Sequence, residues 1–532
     1  MSNSPPLRMS ADVAIVGAGF AGSLMALALR RLGYAVVLLE RGRHPRFAIG
    51  ESSTPLANLL LEQLCDRYDL DRVRPLCKWG TWRRRYPEIG CGLKRGFSFF
   101  RHQPGEPFRD DERHRHQLVV AASPHDEIGD THWYRPDVDA FLAAEAARSG
   151  AAYLDEVSLT AIRWEADHSV IEGRRASDTI QARARFVIDA SGTRGFLHRM
   201  LGLAERPLRW LTPTQALYSH FEGVRLFGET RDAAFEAGPP IPVDATALHH
   251  VFPGGWIWVL RFANGLTSAG AAVVDSLATS LRLDRDGAWD RLLWQLPSVH
   301  DQFRDARPVR PFVYASRLPF RSAVVGGPGW VLLPSAAGVI DPLLSTGFPL
   351  TLLGVLRLAR LFAEHAPGTA AFEAGLAEYV EQTVGELDAT EQLVGALYAS
   401  MDDFERFKRL SLLYFAAASY TETMRRLDRA DRARGFLLCG DPMFGPELRA
   451  CATAASAPLN AEERRALLAR IDRAIEPFDV AGLGDRARRD WFPVRADDLV
   501  AAAPKLGATP EEVGRLLQRC GFTASAVAHS GI

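Results

Sequence analysis

The chain has 532 residues, 47% hydrophobic and 24% charged, with a formal net charge of −1. That balance excludes a disordered chain and gives no electrostatic case for nucleic acid or an anionic membrane. The length exceeds one compact core, so two or three closely packed regions are expected. The six cysteines, Cys65, Cys77, Cys91, Cys439, Cys451 and Cys520, form no C-x-x-C pair. Neither a zinc knuckle nor a redox dithiol is expected, no metal is implied, and free thiols in a reducing cytoplasm follow. Met1 to Ser10 has no apolar h-region and does not read as a signal peptide. The apolar stretch from Val331 to Phe362 is interrupted by Ser335, Asp341, three prolines and Arg357, which marks a core segment rather than a membrane span.

Asp12 to Val16 is expected as a strand and Ser23 to Leu32 as a helix ended by Gly33, with a second strand from Ala35 to Leu39 that finishes at Glu40. Between the first strand and the helix stands Gly17-Ala18-Gly19-Phe20-Ala21-Gly22, so the G-x-G-x-x-G loop lies in a βαβ context. Gly17 permits the tight turn, Gly19 lets a pyrophosphate approach the backbone, and Gly22 lets helix and strand close up. Glu40 is placed to accept from a ribose hydroxyl, and dinucleotide binding is the expectation.

Residues 79–120 read as sheet and loop, with Arg83-Arg84-Arg85 on a solvated loop. A helix is expected over Asp137–Ser149, then strands over Gly150–Val157 and Arg185–Ala190, the latter running into Ser191-Gly192-Thr193-Arg194-Gly195. Residues 205–310 read as strands with irregular connections, among them a period-two pair, Trp256 and Trp258, suited to a core or cavity wall. A strand at 329–333 precedes Asp341-Pro342-Leu343-Leu344-Ser345-Thr346-Gly347-Phe348, and a buried helix is expected from Leu350 to Phe362. The free amides at that helix start suit an anion or the electron-rich end of a cofactor ring. From about 366 onward the pattern is helical and carries no motif assignable to chemistry, although Tyr420, Arg425 and Arg426 are candidates for a substrate mouth.

The fingerprint occurs once, and its domain is interrupted and resumes at 150–200 and 320–362. Over residues 10–365 this order resembles that of flavin monooxygenase-type proteins. The resemblance rests on Gly17–Gly22 with Glu40, on Val187-Ile188-Asp189-Ala190-Ser191-Gly192, and on the segment around Asp341. It implies an α/β fold: a Rossmann-like (GR2-type) FAD-binding domain over 10–365, with substrate insertions at about 56–130 and 205–310, and a helical region over 366–532. Arg135 and Asp139 resemble the family's Arg…Asp pair at a helix start, although a first-turn carboxylate explains Asp139 equally well.

Within that superfamily the chain resembles flavin-dependent halogenases of the tryptophan halogenase type. Gly50-Glu51-Ser52-Ser53-Thr54-Pro55 is similar to the G-E-[AS]-x-x-P segment, and Asp341-Pro342-Leu343-x-Ser345-Thr346-Gly347 to D-P-L-x-S-T-G. Lys94, in Gly92-Leu93-Lys94-Arg95-Gly96-Phe97, falls where the family has its essential lysine, and Trp256-x-Trp258-x-Leu260 partly matches W-x-W-x-I-P. The resemblance implies FAD held by Gly17, Ala18, Gly19, Ala21, Gly22, Glu40, Arg41, Ser52, Ser53, Val157, Asp341 and Phe348. It implies chloride or bromide at Thr346 and Gly347, catalysis by Lys94, and a substrate cavity lined by Trp256 and Trp258. In such enzymes a flavin hydroperoxide oxidises halide to hypohalous acid, which the lysine holds or carries as a haloamine. Without the family, Lys94 beside Arg95 reads as a surface charge at a strand start.

Three departures from the pattern matter. Arg261 replaces the proline, Leu344 stands where tryptophan halogenases carry a glutamate, and Pro334-Ser335 replaces Gly-Asp. Leu344 argues against free tryptophan and leaves phenols, pyrroles and carrier- or peptide-bound aromatics open. With no second nicotinamide fold visible, reduced flavin is expected from a transient nicotinamide or a separate flavin reductase. Two other readings remain at this stage: an aromatic hydroxylase, and a flavoprotein that binds a partner without turnover.

Overall fold

The computed structural model describes residues 6–230 and 238–522. Leu7–Val16 is the central strand of the first sheet, parallel to Val36–Leu39 on one side and to Asp178–Asp189 on the other. Ala152–Leu154 extends the sheet beyond Val36–Leu39, and Trp330–Leu332 and Gly326–Gly327 extend it beyond Asp178–Asp189. Val13, Ala14 and Ile15 are fully buried, which is why this strand reads as an unbroken apolar run rather than an alternation. The helices Phe20–Arg31, Arg135–Arg148 and Gly347–Glu364 pack together around this sheet.

A second, nine-stranded sheet runs Arg307–Pro308, Thr214–Glu222, Thr267–Val274, Gly255–Arg261, Ala247–Phe252, Gly96–Arg101, Gln117–Ala121 and Trp491–Phe492, with Val313–Ala315 also paired to Thr214–Glu222. Its outermost strand therefore comes from the otherwise helical C-terminal region, and Trp491 pairs with Val119. That region is built on the helices Ala370–Tyr398, Phe404–Arg426, Phe444–Ala455 and Ala461–Ile475. Phe404–Arg426 packs against Pro55–Arg67, which ties the region to the front of the chain.

Several local expectations change. Trp79–Arg85 is a helix, and the three arginines form its last turn rather than a loop; Trp82 is its buried anchor. Gly150–Val157 is divided, because Glu156 takes a left-handed φ of +55° between Ala152–Leu154 and Val157–Trp164. The irregular connections within 205–310 include three short helices, Asp275–Leu281, Ala288–Leu293 and Pro297–Phe303. Their apolar faces close a satellite core around Phe221, Trp289 and Phe303. Among the described residues one helical segment, Leu343–Glu364, is long and apolar enough to cross a membrane, and 72% of its apolar window is buried inside the fold.

Candidate active site

At the end of Leu7–Val16 the chain turns through Gly17 at φ +100°, and Gly19 is the N-cap of Phe20–Arg31. A Cβ on Gly22 would lie 1.9 Å from the Gly17 carbonyl oxygen, so any side chain there would lift the helix off the turn. Glu40 reaches back from the neighbouring strand. Its Oε2 accepts from the Ala18 N–H and its Oε1 from the Gly42 N–H, both at 2.8 Å, and Arg46 donates to each oxygen at 3.1 Å. Burial alone would push this carboxyl's pKa up; Arg46 and the two amides outweigh it and hold the pKa below its usual value. The Val157 N–H donates to the Glu40 carbonyl at 2.9 Å, and Arg41 is exposed beside it.

Two guanidiniums border Gly19. A Cβ there would stand 3.6 Å from Arg135 Nη2 and 3.7 Å from Arg46 Nη2, with Asp139 Oδ2 also at 3.7 Å. Arg135 is gripped by Asp139 through two 2.8 Å hydrogen bonds, so Asp139 is an ion-pair partner rather than a free first-turn carboxylate. Bare backbone at a helix N-terminus, faced by two cations, fits the diphosphate of FAD. Ala21 is buried in the first turn of that helix.

Lys94 ends the strand Cys91–Lys94, which pairs antiparallel with Asp130–Trp133, and it stands opposite Asp130. Opposed residues of such a ladder share a face, so ammonium and carboxylate leave this hairpin side by side. Ser52 bridges His132 and lays the Glu51–Ser53 segment along the other edge. The Lys94 side chain is 0% exposed. Its Nζ donates to Ser52 Oγ at 2.9 Å and to the Ser53 carbonyl at 2.6 Å, and lies 3.7 Å from the centre of the Phe97 ring. Burial pushes the ammonium pKa below 10.5 against the opposing charge of Asp130; burial likewise pushes Asp130 up against the charge of Lys94. Asp130 Oδ1 accepts from Asn58 Nδ2 at 2.8 Å, while its buried Oδ2 has no hydrogen-bond partner among the described residues.

Asp341 ties down the third part. Its Oδ1 accepts from the Leu343 N–H and its Oδ2 from the Tyr398 hydroxyl, both at 2.9 Å, and Trp256 Nε1 donates to that hydroxyl oxygen at 3.0 Å. Burial pushes the Asp341 carboxyl up to about 7. Leu344 and Ser345 adopt left-handed φ values of +64° and +55°, a costly conformation for non-glycine residues that the anchored turn holds. The turn delivers Thr346 as N-cap of Gly347–Glu364. Thr346 is buried, whereas Gly347 is exposed and has no heavy atom within 4 Å of its Cβ direction. Phe348 stacks on Phe20 with centroids 4.7 Å apart and meets Trp133 edge-on at 4.8 Å. One aromatic cluster thus joins the nucleotide turn, the lysine hairpin and the Thr346 turn.

A cavity of about 200 Å³ lies against the lysine hairpin. Thr54, Asn58, Phe97 and Asp130 line its inner side, and Tyr414, Glu422 and Arg426 of Phe404–Arg426 face them. Residues drawn from 480–522, including Phe492, line the outer side. Lys94 sits behind this wall, under the Phe97 ring.

Trp256 and Trp258 do not line this cavity, contrary to expectation. Trp256 is buried against Tyr398 and supports the Asp341 turn, while Trp258 packs on Tyr218 and donates to Ser268 Oγ at 3.3 Å. Of the mouth candidates only Arg426 reaches the cavity; Tyr420 packs edge-on against Phe478 and Arg425 donates to Gln63. Sequence reasoning missed Asp130, Asn58 and Tyr414. The available signal for Asp130 was a carboxylate at the head of a short segment, Thr131-His132-Trp133, that buries all its residues.

The model of the family described as FAD dependent oxidoreductase matches residues 12–338. Monodechloroaminopyrrolnitrin halogenase PrnC of Pseudomonas fluorescens is 32% identical over 413 residues, covering 75% of this chain and 70% of that one. Tetracycline 7-halogenase of Kitasatospora aureofaciens is 28% identical, covering 80% and 76%. The crystal structure of halogenase PltM in complex with phloroglucinol and FAD superposes with a TM-score of 0.78 at 24% identity, over 90% of this chain and 99% of that chain. With the nucleotide cradle, the buried lysine and the Thr346 turn joined in one fold, this chain belongs to the FAD dependent oxidoreductases and, within them, to the flavin-dependent halogenases.

Proposed function

We propose that this enzyme halogenates an electron-rich aromatic small molecule, using reduced FAD, dioxygen and chloride or bromide. The observation that carries the reading is Lys94, an amine buried behind the wall of a cavity and held by Ser52 and Ser53. Gly17, Ala18, Gly19, Ala21 and Gly22 would hold the FAD diphosphate, Glu40, Arg41 and Val157 the adenosine end, and Ser52, Ser53, Asp341 and Phe348 the flavin end. All four acceptor positions of the Glu40 carboxylate are filled. Ribose hydroxyls would therefore displace Arg46, freeing its guanidinium for the diphosphate. When bound and reduced, FAD supplies the dioxygen activation that converts halide to hypohalous acid.

The protein's own groups do the rest. Thr346 and the free amides from Gly347 onward hold the halide. The Phe20, Trp133 and Phe348 cluster keeps bulk water out of the space between turn and hairpin. Lys94 donates a hydrogen bond to hypohalous acid, or carries its halogen as a haloamine, a role the lowered pKa suits. The cavity's volume of about 200 Å³ suits a small aromatic ring, and a relative named 1H-pyrrole-2-carbonyl-[peptidyl-carrier protein] chlorinase is 25% identical over 351 residues. A separate flavin reductase would supply reduced flavin, since the dinucleotide fingerprint occurs once. A cytoplasmic setting suits the six free cysteines. Residues 10–365 would form the FAD domain, with insertions 56–130 and 205–310 supplying most of the second sheet, and 366–532 the cavity's outer wall.

The test is mass spectrometry of products formed with chloride or bromide, a flavin reductase, and a panel of phenols, indoles and pyrroles. Halogen isotope patterns that vanish in Lys94→Ala are expected. Hydroxylated products alone would overturn the reading, and halogenation that survives in Lys94→Ala would overturn the assignment of Lys94.

A further inference from the structure

The glutamate that tryptophan halogenases carry beside the Ser-Thr-Gly turn is Leu344 here, fully buried. Yet the cavity wall holds a carboxylate of its own. Asp130 stands opposite Lys94 in the same two-stranded ladder, lines the cavity, and spends one oxygen on Asn58 while the other has no partner among the described residues. A buried acceptor left unpaired is costly, more so when charged, and calls for an explanation. A donor brought in by the substrate supplies one. We infer that Asp130 Oδ2 binds a ring hydroxyl or amino group of the substrate and accepts its proton during halogen transfer. The preferred substrates are then phenols and anilines rather than aromatics without a ring donor. This inference rests on the halogenase reading above.

The step balances. The phenol O–H proton passes to Asp130 as the ring carbon attacks the halogen of hypohalous acid that Lys94 delivers past the Phe97 ring into the cavity. The C–halogen bond forms, the O–halogen bond breaks, and hydroxide leaves. The ring carbon is oxidised by two electrons and the halogen reduced. Hydroxide takes the ring proton to become water, and Asp130 returns its proton to the ring oxygen. Asn58 holds the carboxylate's other oxygen and fixes its orientation. The groups facing Asp130 are Lys94 from the opposite strand, Asn58 from Pro55–Arg67, and Tyr414, Glu422 and Arg426 from Phe404–Arg426.

The experiment compares 4-alkylphenols with their methyl ethers in wild-type enzyme, Asp130→Asn and Asp130→Glu, with FAD titration to verify folding. General-base catalysis typically contributes about 10²–10⁴-fold. Wild type should therefore favour the phenol by at least about 100-fold in kcat/KM. Asp130→Asn should lose that preference mainly through kcat and lose the acid limb of the pH profile, and Asp130→Glu should recover part of both. The phenol-to-ether ratio compared between variants cancels the ether's lower intrinsic reactivity. Equal losses on phenol and ether, or an unchanged ratio, would overturn the inference while the halogenase reading stands. If Asp130→Asn does not fold, a wild-type enzyme that halogenates both compounds at rates set by ring reactivity alone would overturn it too. Wild type that halogenates nothing would bring down the parent reading and this inference with it.

Discussion

Gly92→Ala tests whether the lysine hairpin must sit where it does. Gly92 is two residues before Lys94, and a Cβ added there would lie 1.8 Å from the Arg261 carbonyl oxygen and 3.2 Å from the His132 Cβ. A carbon–oxygen contact settles near roughly 3.3 Å, so the strand would have to retreat by about 1.5 Å. The obstacle is backbone in the middle of a sheet and cannot swing aside. Retreat would also stretch the Ala263 N–H to Cys91 carbonyl bond, now 2.8 Å, which fastens the hairpin to the second sheet. Overpacking costs about 1–3 kcal/mol and a lost backbone bond about 1 more, so the expected destabilisation is about 2–4 kcal/mol. The effect on rate should be larger than stability suggests, because a misplacement of about 1 Å costs about 100-fold in a positioned reaction. Urea denaturation and single-turnover halogenation with saturating reduced flavin read the two effects separately. A variant with wild-type midpoint and turnover within about twofold would show that the hairpin's position does not govern Lys94, and the reasoning would fail.

Other perturbations separate the parts of the site. Gly347→Ala adds a methyl into open space and replaces a poor helix former, so Tm should hold or rise, by up to about 1 kcal/mol of stability, while the KM for halide increases; an unchanged halide KM would remove Gly347 from the halide site. Glu40→Gln should weaken FAD binding by about 10–100-fold, the worth of a charged hydrogen bond, in a fluorescence titration, and an unaltered Kd would contradict the ribose assignment. Lys94→Met should abolish halogenation and change the pH dependence of stability. Burial lowers the native pKa of Lys94 below 10.5, so between those two values the unfolded chain holds a proton that the native state has released. Stability from this group therefore rises with pH across that interval. Urea midpoints at about pH 7.5 and 9.5 should rise in wild type relative to Lys94→Met, and parallel slopes would refute a depressed lysine.

The nucleotide turn was legible because its chemistry is local: three glycines and a terminal acid report one strand, one helix and one close approach. Lys94 was legible only by family resemblance. Read locally it is a charge beside Arg95, and its burial is created by Asp130–Trp133 and Glu51–Ser53, neighbours brought in by pairing some forty residues apart. Asp130 escaped notice for the same reason, since an unsatisfied oxygen is a property of the assembled wall. The helix Trp79–Arg85 was masked by tryptophan, glycine and threonine, residues with modest helix propensity that tertiary packing of Trp82 overrides. Trp256 and Trp258 alternate as a wall should, but period two cannot say which wall, and Tyr398 captures the first of them.

The strand Trp491–Phe492, zipped parallel onto Gln117–Ala121, carries a consequence for how such an enzyme diversifies. Everything proposed to make and hold the electrophilic halogen lies before residue 365, whereas Tyr414, Glu422, Arg426 and Phe492 are drawn from beyond it. The two-residue strand is the seam between these inheritances. A chimera joined after Gly347–Glu364 should keep the oxidant chemistry and the Asp130 contact of one parent and take on the outer cavity wall of the other, and with it a new limit on ring size, provided the grafted segment still finds the edge at Val119 and Val120.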